Sequence, residues 1–567
     1  MGQVDFIVLV VFAFMIFGIG VAFTRVGSKS GQAFFEAGGA TPWWINGLSL
    51  FISYFSAGTF VVWGSIAYSS GIVANTIQLT MAISGFIVAI FIARKWKRTG
   101  VKTAAEYIGK RFNTKTQQFY TYMVLLLSLF TTASVLYPVG KMVHVATPYS
   151  LNTCIIIIGL IIVLYTAAGG LWAVLVTDVI QFVILTASVL IVIPLAFKEI
   201  GGAQNLVTKA PTGFFEPFNA EYTLPFMLAF IVYQTVYIGG NWSYVQRYTS
   251  VKDEKSSQKV AYLFTFLYFV SPFIWMIPPM VYRVMNPDLA GLGSEGAYMM
   301  LCQQILPTGL IGLVLAGMIS ATSSKANTTI NLAATVFATD LYKNLVRKTA
   351  SEKEQILVAR IFTLLFGAGT VGIALLVPYV GGIVDFVLST ASIAGGALFA
   401  PIIWSLFSKR QTAFSVVTTT LLTLTINLFL KIFAPSLLDL KLSRTMETVV
   451  GQMIPLITLA CFELYYRFHN RVAPVPSVDL SDQIIIIEAE TEAEAVKQNS
   501  FGIRVIGISM ALVGLGIAIL GFFSGSAYIV ASVGSIIFLI AMFIFRIGTR
   551  SAVKPSFKTI NKHVIHE

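Results

Sequence analysis

The stretch "NGLSLFISYFSAGTFVVWG", residues 46–64, is apolar enough to lie in a membrane, but small and polar residues interrupt its middle. Ser53, Ser56, Gly58 and Thr59 fall together halfway along it. A membrane helix unwinds at such residues only where its freed backbone groups are buried in protein or line a water-filled cavity. The stretch therefore predicts a broken helix beside a site, although close helix packing also favours small residues.

A second stretch of the same character, "YQTVYIGGNWSYVQR", lies at residues 233–247. Its two glycines, Gly239 and Gly240, are followed directly by Asn241. A pair of interrupted spans in corresponding halves of a chain is typical of transporters built from inverted repeats, with the substrate near the midplane. The two stretches together indicate such a transporter.

The composition places the whole chain in a membrane. Of its 567 residues, 56% are hydrophobic and only 11% are charged, whereas a soluble domain carries about 25% charged residues. A membrane helix needs about 20 mostly apolar residues. We therefore predict an all-α polytopic membrane protein with about 15 spans, near 3–24, 42–69, 73–94, 117–146, 150–168, 172–197, 222–244, 260–282, 299–339, 356–378, 383–407, 412–432, 447–468, 503–523 and 526–546.

The order of these spans predicts two repeats of five helices, at 42–197 and 222–407. Because five is odd, the two blocks enter the membrane from opposite sides, as an inverted repeat requires. The predicted organisation is an extra N-terminal helix and loop at 1–41, a first repeat at 42–221, a second repeat at 222–411, two additional helices at 412–468, a cytoplasmic linker at 469–502, and a C-terminal hairpin with a basic tail at 503–567.

The net charge of +13 reports orientation and not nucleic-acid binding. Lysine and arginine collect in cytoplasmic loops of membrane proteins, and the densest basic cluster is "RKWKRTGVK" at 94–102. With the N-terminus outside, this cluster and the other basic loops all fall on the inner face. We predict a multi-pass protein of the plasma (inner) membrane with a cytoplasmic C-terminus.

Four motifs resemble those of the solute:sodium symporter family, which includes the sodium/glucose cotransporters and the sodium/proline permeases. They are "SAGTF" (56–60), "AGGLWAVLVTDVIQF" (168–182), "NWSYVQRYTSVKDEKSSQK" (241–259) and "TVFATDLYK" (335–343). The resemblance implies the leucine-transporter-type 5+5 inverted repeat, alternating access and sodium as the coupling ion. It also implies a symporter of a small polar organic solute.

The resemblance further implies a sodium site between the first broken helix and the helix at 299–339. Matching the motifs assigns its ligands to the carbonyls of Ile52, Phe55 and Ala321 and to the hydroxyl of Ser324. The position of a second hydroxyl falls on Lys325. A hard cation such as sodium is expected to bind oxygen ligands, and a charged lysine offers no acceptor.

Three hypotheses for Lys325 remain open at this point. Its ammonium is a tethered surrogate cation in a sodium-independent carrier, or the buried amine exchanges a proton and the carrier is proton-coupled. Alternatively, sodium binds elsewhere, or the match is displaced by one residue and Ser323 and Ser324 form the hydroxyl pair. A charge at this depth must face protein or a water-filled cavity in each case.

Family positions also imply the substrate site and a coupling residue. The substrate-binding residues are predicted to be Tyr54, Gly58, Thr59, Gln78, Tyr237, Asn241 and Ser389. The sugar carriers of the family have a Glu-Gln type pair where this chain has Gly58 and Thr59, which weakens the grip on sugar hydroxyls. Asp178, in the hallmark motif, is predicted to act in sodium coupling or at the inner gate. Alternatively, it is a carboxylate in the N-terminal turn of its helix, favoured by the helix dipole, or a partner for a loop Arg or Lys.

The sequence does not favour an enzyme, because it has no phosphate loop, metal-ligand cluster or nucleophile elbow. No cofactor is expected apart from Na⁺ as a possible coupling ion. The expected partners are the solute and the lipid bilayer, with no nucleic acid. A membrane solute sensor is the alternative class of function.

Overall fold

The computed structural model describes residues 1–27, 41–101, 103–165, 171–338, 351–470, 489–522 and 527–553, together with 342, 347 and 349. Within these residues every regular element is a helix and none is a strand. The all-α prediction is therefore confirmed. Most of the predicted linker and of the basic tail lies outside the described residues.

Twelve α-helices lie within the described residues up to Thr249. They are α1 Gln3–Gly27, α2 Trp43–Ile52, α3 Gly64–Ser70, α4 Val73–Ile87, α5 Ala93–Arg98, α6 Ala104–Arg111, α7 Thr114–Ala146, α8 Leu151–Tyr165, α9 Leu171–Glu199, α10 Ala203–Lys209, α11 Leu224–Gly240 and α12 Trp242–Thr249. Short π-helices at Thr59–Trp63 and Val88–Ile92 lead into α3 and α5.

The second half contains the remaining helices. They are α13 Glu254–Val270, α14 Pro272–Trp275, α15 Ile277–Met285, α16 Ala297–Ile305, α17 Leu310–Val336, α18 Glu352–Leu376, α19 Ile383–Thr390, α20 Gly396–Phe407, α21 Ala413–Leu428, α22 Ala434–Leu437, α23 Arg444–Phe468, α24 Ala489–Phe522 and α25 Ala527–Val553. Short 3₁₀-helices at Gly291–Gly296 and Val377–Val380 and π-helices at Ala391–Gly395 and Phe429–Phe433 lie between them.

Within the described ranges, 10 helices are long and apolar enough to cross a membrane, or up to 11 if α11 and α12 count as one bent span. Shorter apolar helices lie at four further predicted spans: Gln3–Met15, Trp43–Ile52, Leu151–Val163 and Leu310–Ser323. Helix α24 begins at Ala489, inside the predicted linker, because its first turns are rich in the strong helix formers Ala and Glu.

Both predicted breaks are present. Helix α2 ends at Ile52 and the chain becomes helical again just before the π-helix that begins at Thr59. Helices α11 and α12 meet at an angle of 59°, and Asn241 between them has an extended backbone. The Asn241 side chain accepts a hydrogen bond from Ser243 N at 3.0 Å, which caps α12.

Polar side chains stabilise the first break by bonding backbone groups there. The Ser53 hydroxyl donates to Ser49 O at 2.8 Å, and the Thr59 hydroxyl donates to Tyr54 O at 3.3 Å. Thr59 Oγ1 also accepts from Ser56 N at 3.2 Å. These bonds matter because an unpaired backbone group away from water costs about as much as a lost hydrogen bond.

The helices that carry the breaks lie at the centre of the bundle. Helix α2 packs against α9 and α13, and α11 packs against α4, α20 and α23. Helix α17 packs against α1, α7, α9 and α18. The terminal pair α24 and α25 forms a close hairpin that packs on α9. The central position of α2, α9, α11 and α17 sets the geometry of the candidate site.

Candidate functional site

The side chain of Lys325 reaches from the middle of α17 to the first break. Its Nζ lies 3.2 Å from the carbonyl oxygen of Ser53 and donates a hydrogen bond to it. Ser53 is the residue that directly follows the last residue of α2. The ammonium therefore lies at the C-terminal end of the first half-helix.

Electrostatics explain why the Lys325 ammonium lies at the C-terminal end of α2. The last carbonyl groups of a helix have no partner within the helix, and they give its C-terminus a partial negative charge. The ion pairs among the described residues do not include Lys325. Lys325 is intermediate between buried and exposed, and its ammonium bonds a backbone carbonyl, as is typical of a charge within a membrane-spanning helix.

The other predicted sodium ligands lie around the same break and on the facing helix. Ile52, Phe55 and Ala321 are buried, and the side chain of Ser324 lies outside the described part of the structure. The hydroxyl of Ser323 donates to Ile319 O of its own helix at 2.7 Å. The assignment of these residues to a sodium site remains a prediction.

A hydrogen bond joins α17 to α9 one turn before Lys325. Gln181 Nε2 donates to the hydroxyl of Ser320 at 2.9 Å, and Gln181 is fully buried. On the other side of Lys325, the Thr329 hydroxyl donates to Lys325 O at 3.1 Å. The Gln181–Ser320 bond joins α17 to α9, whereas the Thr329 bond lies within α17.

The structure brings two of the predicted substrate residues together, one from each broken helix. The rings of Tyr54 and Tyr237 lie 6.1 Å apart, edge to face, and Tyr244 lies 5.2 Å from Tyr54. The Tyr54 hydroxyl donates to Gln234 Oε1 at 3.4 Å. Sequence reasoning missed Gln234, although it lies in the quoted second stretch, one helical turn before Tyr237.

Gln78 is the most unusual of the predicted substrate residues. It lies on α4 with only 1% of its surface exposed, and neither atom of its amide has a hydrogen-bond partner among the described residues. Asn75, one turn earlier, also has an unpaired carbonyl oxygen by the same measure. Buried polar side chains are nearly always paired, so the Gln78 amide is free to bond a ligand, as is that of Gln452, which is also unpaired among the described residues.

The remaining predicted substrate residues occupy different surroundings. Gly58 N donates to Ser56 Oγ at 3.2 Å, and the Thr59 hydroxyl is already bonded within the break. Ser389 is partly exposed on α19, which packs against the π-helix that contains Thr59. Asn241 serves as the cap of α12. The polar groups of Gly58, Thr59 and Asn241 therefore serve local structure as well as any ligand.

Asp178 on α9 connects the two broken helices. Its Oδ2 accepts from the Ser49 hydroxyl of α2 at 2.6 Å and lies 4.0 Å from Arg247 Nη2 of α12. Asp178 and Arg247 are 4% and 5% exposed. Pairing of Asp178 with a loop Arg or Lys was one predicted alternative, although the sequence did not single out Arg247. The pairing fits both a gate and the simpler hypothesis that Asp178 neutralises a basic residue.

A second buried carboxylate, which sequence reasoning missed, lies near the C-terminal part of α7. Glu295, in the 3₁₀-helix Gly291–Gly296, accepts from the Tyr137 hydroxyl at 2.6 Å and from Ile383 N at 2.9 Å. Lys141 Nζ lies 4.0 Å away. Burial raises the pKa of the Glu295 carboxyl. This cluster joins α7 to the start of α19.

The described residues contain no group of three or more His, Cys, Asp or Glu that could hold a metal ion. The arrangement instead offers a helix end with a cation, an unpaired amide and several tyrosines. Groups of this kind suit the recognition of a polar solute.

Comparison with known proteins bears on this arrangement. The model of the sodium:solute symporter family matches residues 34–468. A sodium/glucose cotransporter of Vibrio parahaemolyticus is 27% identical over 466 residues, covering 76% of this chain and 85% of that protein. Sodium/glucose cotransporter 1 of Mus musculus is 28% identical, covering 72% and 68%. Sodium/myo-inositol cotransporter 2 of Bos taurus is 29% identical, covering 64% and 59%.

A solved structure shares the fold. It is the substrate-bound, outward-open state of a Na⁺-coupled sialic acid symporter, with a TM-score of 0.68 and 23% sequence identity, covering 82% of this chain and 98% of that one. This likeness confirms the leucine-transporter-type fold that the motifs predict.

Proposed function

Since the chain belongs to the sodium:solute symporter family, we propose that it carries a neutral, hydroxylated solute across the membrane by alternating access. It is a multi-pass secondary active symporter and not an enzyme. The driving cation in the named relatives is sodium, and a sodium gradient is the driving force we propose here. We further propose the plasma membrane as its location, with the N-terminus outside.

The observation that carries the solute proposal is the unpaired amide of Gln78. A buried amide without partners costs free energy, so a function must compensate for it. An amide offers two donors and an acceptor, which suits a hydroxyl group that both donates and accepts. No charged side chain is among the predicted substrate residues, which favours a neutral solute over an anion.

The tyrosines near the break support the same solute class. Tyr54 and Tyr237 present rings and hydroxyls where the two broken helices meet, and aromatic faces with a polar edge suit sugar and polyol rings. The names of the relatives, glucose and myo-inositol cotransporters, point to the same chemistry. Because Gly58 and Thr59 replace the pair found in sugar carriers, we propose that Gln78 supplies the main polar contact.

For the coupling machinery, we propose that Asp178 and Arg247 form a gate. They join the two broken helices through Ser49, so that separation of the helices at this end requires the contacts to break. The five-plus-five repeat boundaries at 42–221 and 222–411 are part of the same proposal. Motion of one repeat against the other is how alternating access proceeds in such folds.

The test is uptake by purified protein in proteoliposomes. A panel of radiolabelled neutral sugars and polyols, amino acids and monocarboxylates is offered with an inward sodium gradient or with choline. We expect sodium-stimulated uptake of a sugar or polyol. Uptake of charged solutes alone would contradict the proposal.

The variant Gln78→Leu sharpens this test. If the amide serves only packing, replacing an unpaired amide by leucine should keep or raise thermal stability and leave uptake unchanged. We expect stability to be kept and uptake to fall at least tenfold. Gln204→Leu, at an exposed position on α10, is the matched control and should change neither. Unchanged uptake by Gln78→Leu would remove Gln78 from the substrate site.

A further inference from the structure

The C-terminal end of α2 is a place where a cation is stabilised. Its last carbonyls carry the negative end of the helix dipole, and the chain breaks there inside the bundle. In transporters with discontinuous helices, unwound carbonyls and the C-terminal ends of half-helices coordinate the coupling cation. A positive charge is therefore stabilised at the C-terminal end of α2.

In this protein a lysine side chain supplies that positive charge. The Lys325 ammonium donates to Ser53 O at 3.2 Å across 272 residues of sequence. A charge in a membrane-spanning helix is kept only where it faces the interior and bonds carbonyls or opposite charges. Among the described residues, the acceptor for this ammonium is the Ser53 carbonyl and no carboxylate pairs with it.

The ammonium bonded to Ser53 O lies at the same helix end as the expected ligand carbonyl of Ile52, so it competes with a sodium ion for this position. The ammonium has three donors and no acceptor, so it adds no ligand for a metal ion. It also repels a second cation that approaches the same oxygen. The family's ligand set is expected to include a second hydroxyl, and this chain has Lys325 at that position. Only the carbonyls of Ile52, Phe55 and Ala321 and the hydroxyl of Ser324 remain.

We propose that the ammonium of Lys325 takes the place of the coupling sodium ion at the end of the first half-helix, so that any sodium used by this carrier binds elsewhere. This inference rests on the proposed function of cation-driven solute transport. It assigns the lysine a permanent role in holding α17 against the break. It also predicts that removing the amine opens this position to a metal cation.

The experiment is equilibrium binding of ²²Na⁺ to the purified full-length protein at neutral pH. No solute is present, and choline is the only other salt cation in the buffer. We compare the wild type with Lys325→Ser, which places a second hydroxyl next to Ser324 in the chain. The serine variant is expected to bind about one more Na⁺ per protein than the wild type. Equal stoichiometry and affinity in the two proteins would overturn the proposal.

Two further variants distinguish the effect of losing the positive charge from the effect of disturbed packing. Lys325→Arg keeps a cation at the break and should bind no more Na⁺ than the wild type. Lys198→Ser, at an exposed end of α9, should also match the wild type. A gain of sodium binding by Lys325→Arg equal to that of Lys325→Ser would mean that loss of packing creates the site, and this would overturn the proposal.

A measurement on the wild type keeps the proposal testable if the serine variant does not fold. The protein is treated with acetic anhydride in sodium chloride or in choline chloride, and acetylation of Lys325 is measured by mass spectrometry. If the ammonium holds this position, acetylation should agree within about twofold between the two salts. A larger increase in sodium would mean that the ion displaces the amine from Ser53.

These measurements use no transported solute, so their failure is distinguishable from failure of the proposed function. If no sugar or polyol is carried but Lys325→Ser gains a sodium site, the solute proposal fails and the lysine proposal stands. If a sugar is carried and the wild type already binds sodium at this break, the lysine proposal fails alone.

Discussion

The guanidinium of Arg247, on the second broken helix, donates a hydrogen bond at 3.3 Å to the hydroxyl of Ser49, on the first. The same hydroxyl donates to Asp178 Oδ2 at 2.6 Å. One serine thus connects a buried cation and a buried anion that are themselves 4.0 Å apart. The relative position of the two discontinuous helices depends on this small polar cluster.

Removal of the Asp178 charge should destabilise this cluster strongly. In Asp178→Asn, Arg247 remains buried without a counter-ion, and loss of one partner of a buried pair costs roughly 3–5 kcal/mol. We expect a clear fall in the melting temperature of the purified protein. The matched control is Glu254→Gln, which removes the partner of the half-exposed Arg94 and Arg98 and should cost about 1 kcal/mol or less. Equal effects of the two variants would contradict the role given to Asp178.

Glu295 should make stability depend on pH. Burial raises the pKa of its carboxyl, so the folded protein binds this proton more readily than the unfolded chain. The contribution of Glu295 is therefore fully present below the unfolded carboxyl pKa of about 4.3 and is lost as the pH rises through the folded pKa. Thermal unfolding at several pH values should show this loss in the wild type, relative to Glu295→Gln, which keeps an acceptor for Tyr137. Parallel pH profiles of the two proteins would refute it.

Asp5 on α1 should stabilise the start of α17. Its Oδ1 accepts from Gly309 N at 2.6 Å and from Gly312 N at 3.3 Å, and the residue is 2% exposed. A carboxylate at a helix N-terminus satisfies free N–H groups and the helix dipole. Asp5→Ala should lower the free energy of unfolding by roughly 1–2 kcal/mol, whereas Asp288→Ala at an exposed position should have little effect. Melting curves of both variants decide this.

The stability of the terminal hairpin should be more sensitive to substitution of Gly514 than of Gly516. A Cβ at Gly514 would lie 2.7 Å from Phe538 N and 2.8 Å from Gly534 O, whereas a Cβ at Gly516 would meet nothing within 4 Å. Alanine within a helix gains roughly 0.5–1 kcal/mol over glycine when space allows. Gly516→Ala should therefore be neutral or stabilising, and Gly514→Ala should be destabilising. The same melting temperature for both would show that α24 and α25 do not pack as described.

Several features were predictable because they depend on local sequence. The two breaks follow from clustered Gly, Ser and Thr within apolar spans, and the structure places them at Ser53–Ser56 and at Asn241. The fold followed from motifs that cover residues 42–343 in order. The partners of Glu295 and Asp178 were not predictable, because each bond joins residues from helices far apart in the chain.

The sequence by itself determined that this protein lies in a membrane, where its helices break, and that a lysine occurs in the middle of the predicted span at 299–339. Only the tertiary structure decided what that lysine contacts. The match to family motifs assigned the site to the carbonyls of Ile52 and Phe55, whereas the acceptor is Ser53 O. The choice among adjacent carbonyls depends on how the chain turns at the break and on where α17 lies relative to it. Both are properties of the assembled bundle and not of local composition.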